Sequence, residues 1–200
     1  MHELKNMLQV VRSLVTLAAR DAEQTRGRYR DIEASVERMD RALRDYLAVA
    51  RPPPPPVPFA VETAAAEAMA MVAPRAVVAG VTLEHQLDGG HVQGQPARLR
   101  EAIANLIGNA IEASAAGARV VVRSRLDGDR VVIEILDDGR GLSEEIRDRI
   151  GVEAFTTRPG GSGLGVMLAR AVIGQHGGTL DYRDNASGGT IARIVLPLRP

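Results

Sequence analysis

The sequence predicts an α+β chain in two parts: an N-terminal helical hairpin that builds a dimeric four-helix bundle, then an α/β sandwich domain. Three observations carry this expectation. Apolar residues recur at spacings of three and four through the first fifty residues, and the pattern stops at five consecutive prolines, Pro52 to Pro56. Beyond them, Arg98 to Ala113 (RLREAIANLIGNAIEA) repeats the helical spacing with Leu99, Ile103, Leu106 and Ala110 on one stripe. Short alternating runs and glycine-rich turns flank that helix on both sides, the pattern of strands around a helical layer.

The hairpin comes first. Leu4, Met7, Leu8, Val11, Leu14, Val15 and Ala18 form one amphipathic stripe, and Asp21 to Arg28, which includes Gly27, reads as the connection. Tyr29, Ile32, Val36, Met39, Leu43, Tyr46 and Ala50 form the second stripe, with charged residues on the other faces. Two helices with one seam each are too small to bury a core alone, so a homodimer is expected. The proline run is stiff, extended and without amide hydrogens, which makes it a spacer. The expected division is residues 1–51 for the hairpin, 52–58 for the linker and 59–200 for the second domain.

In that domain an alanine-rich helix is expected from Val61 to Val72, with Pro74 disturbing its continuation. Val81 to Gln86 alternates as a strand, and His91 to Gln93 is expected to pair with it. The asparagine-bearing helix runs from Pro96 to about Ala115. Asp127-Gly128-Asp129 between Arg119–Leu126 and Arg130–Leu136 is a hairpin signal. Gly139 to Ser162 reads as a long functional loop with a short helix near Ser143 to Ile150. Gly163 to Gln175 is a helix, and Gly178–Arg183 and Gly189–Leu196 close the domain as strands.

Composition narrows the function. Basic and acidic residues balance at 25 each, so bulk charge gives no case for nucleic acid or an anionic membrane. An aromatic content of 2% leaves few platforms for stacking bases. There is no cysteine and no histidine pair at ligand spacing, which argues against zinc and disulfides and fits a reducing, cytoplasmic setting. No apolar run reaches the roughly 18 residues of a membrane span, so no membrane contact is expected of this segment.

The chemistry-bearing residues fall in order. Asn105 and Asn109 stand one turn apart on the face opposite the apolar stripe, and buried amides need partners. Asp137-Asp138-Gly139-Arg140-Gly141 follows a strand. Gly161-Ser162-Gly163-Leu164-Gly165 opens a helix, where free backbone amides suit phosphate oxygens. No strand-turn-helix unit starts at Gly161, which rules against a dinucleotide-binding fold there. His85 and His91 carry no signal, and His176, in QHGG, reads as a structural helix end.

The amide pair, the Asp-x-Gly-x-Gly turn, Phe155-Thr156-Thr157-Arg158 and the second glycine box, with His2 in HELKN, together resemble the catalytic core of a bacterial sensor histidine kinase of the HExxN subgroup. The resemblance runs from His2 to Leu196. It implies a Bergerat-type ATP-binding sandwich of the GHKL kind, with ATP and Mg²⁺ as cofactors. It implies that Asp137 accepts from the adenine amine, with Gly139 and Gly141 allowing close approach. Asn109 would offer its oxygen to Mg²⁺, and Asn105 would sit where related hydrolases carry a water-activating carboxylate. Thr156, Thr157 and Arg158, with Gly161, Ser162, Gly163, Leu164 and Gly165, would form the nucleotide lid, anchored by Phe155. His2 would accept the phosphoryl group, Glu3 would act as base, and Asn6 would orient a water for dephosphorylation of a response regulator receiver domain. Met7 departs from the family, which usually has proline there. The implied activity is ATP-dependent autophosphorylation and transfer to the regulator. A conformational GHKL ATPase and a non-catalytic phosphotransfer adaptor are the alternatives. Asn105 disfavours the first, and the presence of Asp137 and the second glycine box disfavours the other.

Overall fold

The computed structural model describes residues 54–150 and 164–198. The expected hairpin, its dimeric bundle and residues 151–163 of the long loop lie outside the described residues. Chain order is β1 (Val57–Ala60), α1 (Val61–Ala79), β2 (Thr82–Leu87), β3 (His91–Gly94), α2 (Pro96–Ala113), β4 (Arg119–Asp127), β5 (Arg130–Asp137), α3 (Glu144–Arg149), α4 (Leu164–Gln175), β6 (Thr179–Asp184) and β7 (Thr190–Pro197). Five strands form one mixed sheet ordered β2-β4-β5-β7-β6, in which only β2 and β4 run parallel.

Alternation decides which face of the sheet is covered. Val120 and Val122, Val131, Ile133 and Ile135, and Ile194 and Leu196 are buried in one cluster. Leu99, Ile103, Ile107 and Ile111 of α2, Val61, Ala65 and Ala68 of α1, and Ala169 and Ile173 of α4 complete that core. Each fully buried branched side chain contributes about 1.5–3 kcal/mol. The opposite face carries a ladder in which Arg193 lies 3.7 Å from Glu134 and 3.3 Å from Asp181. These half-buried pairs still reach solvent and add little beside apolar burial, so the helix-covered face holds the fold together.

Three expectations need correction. First, β3 pairs antiparallel with β1, from Val57↔Gly94 to Ala60↔His91, and does not pair with β2. The reason lies at the end of β2. There Asp88 N–H donates to Ser124 O (3.1 Å) and Oγ (3.0 Å), and Ser124 Oγ donates to Asp88 O (2.6 Å). These bonds pin β2 to β4 and turn the chain away. Second, α1 continues through Pro74 to Ala79. Pro74 is exposed while Val72 and Ala76 are buried, so packing of the last turns offsets the ~3 kcal/mol that an interior proline costs. Third, Val57 and Pro58, read as the end of the linker, form the first half of β1. The prolines before them also touch the domain, since Gln93 Nε2 donates to Pro56 O and Gln95 Nε2 to Pro54 O.

The β4–β5 hairpin turns at Gly128 with φ +62°, as its Asp-Gly-Asp signal predicts. Ser143 caps α3 by accepting from Ile146 N–H.

His176 follows α4, and its ring is buried. Its Nε2 accepts from Gln95 N–H at 2.9 Å, so the ring proton sits on Nδ1, which donates to Val172 O at 2.7 Å. Gln95 is the N-cap of α2, and Phe59 meets the imidazole edge-on with centroids 6.3 Å apart. One neutral ring thus ties the end of α4 to the start of α2 and to β1. His176→Ala orphans the Gln95 amide and is expected to lower the unfolding free energy by about 1–3 kcal/mol. Urea denaturation checks this; an unchanged midpoint contradicts the bridging role.

Candidate functional site

The site is built along α2. Leu99, Ala102, Ile103, Leu106, Ile107, Ala110 and Ile111 are buried, which leaves a narrow polar stripe through Glu101, Asn105 and Asn109. Glu101 is exposed, whereas Asn105 and Asn109 are half-buried. A Cβ on Gly165 would stand 3.9 Å from Asn105 Cγ, so the beginning of α4 runs beside that amide. At the other end, a Cβ on Gly139 would lie 2.6 Å from Ala113 O, and Arg140 N–H donates to that same oxygen at 3.4 Å. Only glycine lets the turn after β5 rest on the last turn of α2. Asn105 and Ala113 are eight residues apart, roughly 12 Å along the helix axis.

Asp137, the last residue of β5, is buried at 5% exposure. Its Oδ1 accepts from Gly139 N–H (2.9 Å) and Thr190 N–H (3.1 Å). Its Oδ2 takes no hydrogen bond among the described residues. Burial pushes the Asp137 carboxyl above its ordinary value, against the pull of the two amides, and the neighbouring Asp138 charge adds to the rise. Gly141 closes the turn with φ +70°. The arrangement is a half-satisfied carboxylate in a dry wall, able to accept one donor from a ligand.

Of the residues singled out from the sequence, Asn105 and Asn109 lie on α2, Gly139 and Gly165 abut it, and Asp137 and Gly141 flank Gly139 beside the β6–β7 turn. Leu164 is the first residue of α4. His2, Glu3, Asn6, Thr156, Thr157, Arg158, Gly161, Ser162 and Gly163 lie outside the described residues. Sequence reasoning missed Asn185, Gly189 and Thr190. Gly189 has φ +83°, and a Cβ there would meet Asp137 O at 2.1 Å. The only sequence signal was a turn-like Asn-Ala-Ser-Gly-Gly run, which says nothing about a strand end 48 residues earlier.

The chain belongs to the histidine kinase-, DNA gyrase B-, and HSP90-like ATPases, whose family model matches residues 94–200. Within that family it is a sensor histidine kinase catalytic core. It is 27% identical to the sensor protein DegM of Bacillus sp. (strain B21-2), over 98% of this chain and 52% of the relative. The structure of the mycobacterial sensor histidine kinase MprB is 32% identical with a TM-score of 0.65, over 72% of this chain and 98% of that one. The histidine kinase ThkA, solved in complex with the response regulator protein TrrA, shares the fold with a TM-score of 0.80 at 19% identity. That match covers 100% of this chain and 60% of ThkA. The chain spans about half the length of the first curated relatives it matches. No helix among the described residues is long and apolar enough to cross a membrane.

The raised Asp137 pKa fixes a sign. The folded chain holds that proton more tightly than the unfolded chain, so the group's stabilising contribution is present at low pH and is lost as pH rises through the folded value. Asp137→Asn keeps an acceptor for both amides and removes the charge. In urea titrations without nucleotide, wild-type stability relative to Asp137→Asn is expected to fall as pH rises from below the ordinary carboxylate range to neutrality. A difference that is flat or rises with pH would overturn the assignment.

Proposed function

We propose that this chain is the core of a two-component sensor kinase that moves the γ-phosphoryl group of ATP to His2, and from there to an aspartate on a response regulator receiver domain. The observation that carries the reading is the single uncommitted oxygen of buried Asp137. The exocyclic amine of adenine is a donor suited to it, and guanine presents a carbonyl at that position. With the base at Gly139 and Gly141, the phosphates lie toward the start of α4, where free amides favour negative charge. Thr156, Thr157, Arg158 and Gly161 to Gly165 serve as the lid over them.

Among the described residues no three histidine, cysteine or acidic side chains gather to hold a metal. Mg²⁺ takes oxygen ligands and keeps waters, so one protein oxygen suffices. The Asn109 side-chain oxygen would be its protein ligand, and the ion would neutralise phosphate charge when bound. Asn105 is an amide and a poor base, which disfavours hydrolysis by activated water. In the transfer a His2 ring nitrogen bonds to the γ-phosphorus as the bond to the β–γ bridging oxygen breaks and ADP leaves. Glu3 takes the proton from the other ring nitrogen. The regulator carboxylate then attacks the phosphorus, and the N–P bond breaks. Asn6 orients water for hydrolysis of the regulator's acyl phosphate. Catalysis is mostly positioning.

The hairpin, residues 1–51, supplies the homodimer; residues 52–56 are the linker to the nucleotide domain, which begins with β1 at residue 57; and the reaction runs in the cytoplasm. The complex of ThkA with the response regulator protein TrrA supports the choice of partner. The test is incubation with Mg²⁺ and γ-labelled ATP. Acid-labile, base-stable label is expected on the wild type and absent from His2→Gln and Asn109→Ala. No nucleotide binding and no label would sink the reading.

A further inference from the structure

We propose that Asn185, in the turn between β6 and β7, is a positioning residue that fixes Asp137 for the adenine base, while the same turn withdraws Asp138 from competing. The inference rests on the adenine reading above and adds a residue that reading does not contain.

The argument starts from where the sheet runs out. The β5–β7 ladder ends at Leu136↔Ile191, so the next residue of β5, Asp137, has no rung from β7 for its carbonyl. The Asn185 side chain supplies one, with Nδ2 donating to Asp137 O at 2.9 Å. The turn that carries it is closed by Asn185 N–H to Gly189 O (3.2 Å) and Gly188 N–H to Asn185 O (2.9 Å). Gly188 and Gly189 both have positive φ, 93° and 83°, which lets this turn lie flat against the strand end. On the other side Asp138 N–H donates to Arg119 O at 3.3 Å. The Asp137–Asp138 peptide is thereby held by β4 on one side and by the β6–β7 turn on the other, and its plane sets where the Asp137 side chain starts.

Two adjacent carboxylates at a strand end pose a choice of which one reads the ligand. Asp138 meets a partner at each oxygen, a hydrogen bond at one and an ion pair at the other. Its Oδ1 accepts from Ser187 Oγ at 2.8 Å and lies 3.5 Å from Asn185 Nδ2, and its Oδ2 lies 3.6 Å from Arg119 Nε. Asp137 keeps one oxygen unused. Asn185 touches both residues and is the side chain that holds this difference in place. Its bond to Asp137 comes from a side chain, so a substitution removes it without touching the main chain of β5.

Calorimetric titration with ADP and with GDP tests this in wild type, Asn185→Ala, Asn185→Asp and Asp137→Asn. Asn185→Ala is expected to weaken ADP by about three- to tenfold, the range of one net hydrogen bond, and to leave GDP nearly unchanged, so that the preference for ADP narrows. Asn185→Asp keeps a turn-forming side chain but has no donor, and is expected to lose preference as alanine does; it also serves if Asn185→Ala fails to fold. Equal weakening of ADP and GDP would reduce Asn185 to a structural turn residue and overturn the proposal. So would wild-type preference in either Asn185 variant while Asp137→Asn loses ADP binding. If Asp137→Asn itself retains wild-type ADP affinity and preference, the adenine reading falls first.

Discussion

A helix that buries Leu99, Ile103, Ile107 and Ile111 against a five-stranded sheet has little perimeter left for polar groups. In α2 that remainder is one line through Glu101, Asn105 and Asn109, and everything else in the domain is placed relative to it. The start of α4 abuts Asn105, the turn after β5 rests on Ala113, and His176 ties the far end of α4 to the N-cap of α2. Burial of the apolar stripe is the large energetic term, each branched side chain contributing a few kcal/mol. Orientation of the amides follows from it at little extra cost.

The second constraint is local and electrostatic. A carboxylate taken into a dry wall is disfavoured unless amides meet it, and two backbone N–H groups do so at Asp137. They satisfy one oxygen and leave the other. This is a destabilised group with one acceptor left over, the trade-off between stability and function expected of the proposed binding site. The glycines around it act through absence: side chains at positions 139 and 189 would collide with Ala113 O and Asp137 O.

Much of this was legible in the residue pattern. The helical stripe of α2, the Asp-Gly-Asp hairpin, the short helix near Ser143 and the closing strands follow from local periodicity and turn chemistry, while the structural role of His176 follows from the likeness of its QHGG run to the family pattern. The pairing of β3 was misread because two neighbouring alternating runs look like a hairpin. The Ser124 hydroxyl and carbonyl that pin Asp88 come from β4, more than thirty residues on. Pro74 was read as a stop because propensity is local, whereas the burial of Val72 and Ala76 around it is tertiary. Asn185 and Thr190 were invisible because a turn residue's target across the sheet depends on register.

The sequence by itself determined which residues carry the proposed chemistry: the asparagine pair, the Asp-x-Gly-x-Gly turn and the order in which the glycine boxes follow. Those are properties of side-chain type and short spacing, set by helical periodicity and by the need for glycine at close approaches. Only the tertiary structure decided that buried Asp137 meets, among the described residues, two backbone amides on one oxygen and none on the other, and that Gly165 comes to lie beside Asn105. Strand register and helix packing join residues dozens of positions apart, and nothing in local spacing encodes which donors a buried carboxylate will meet.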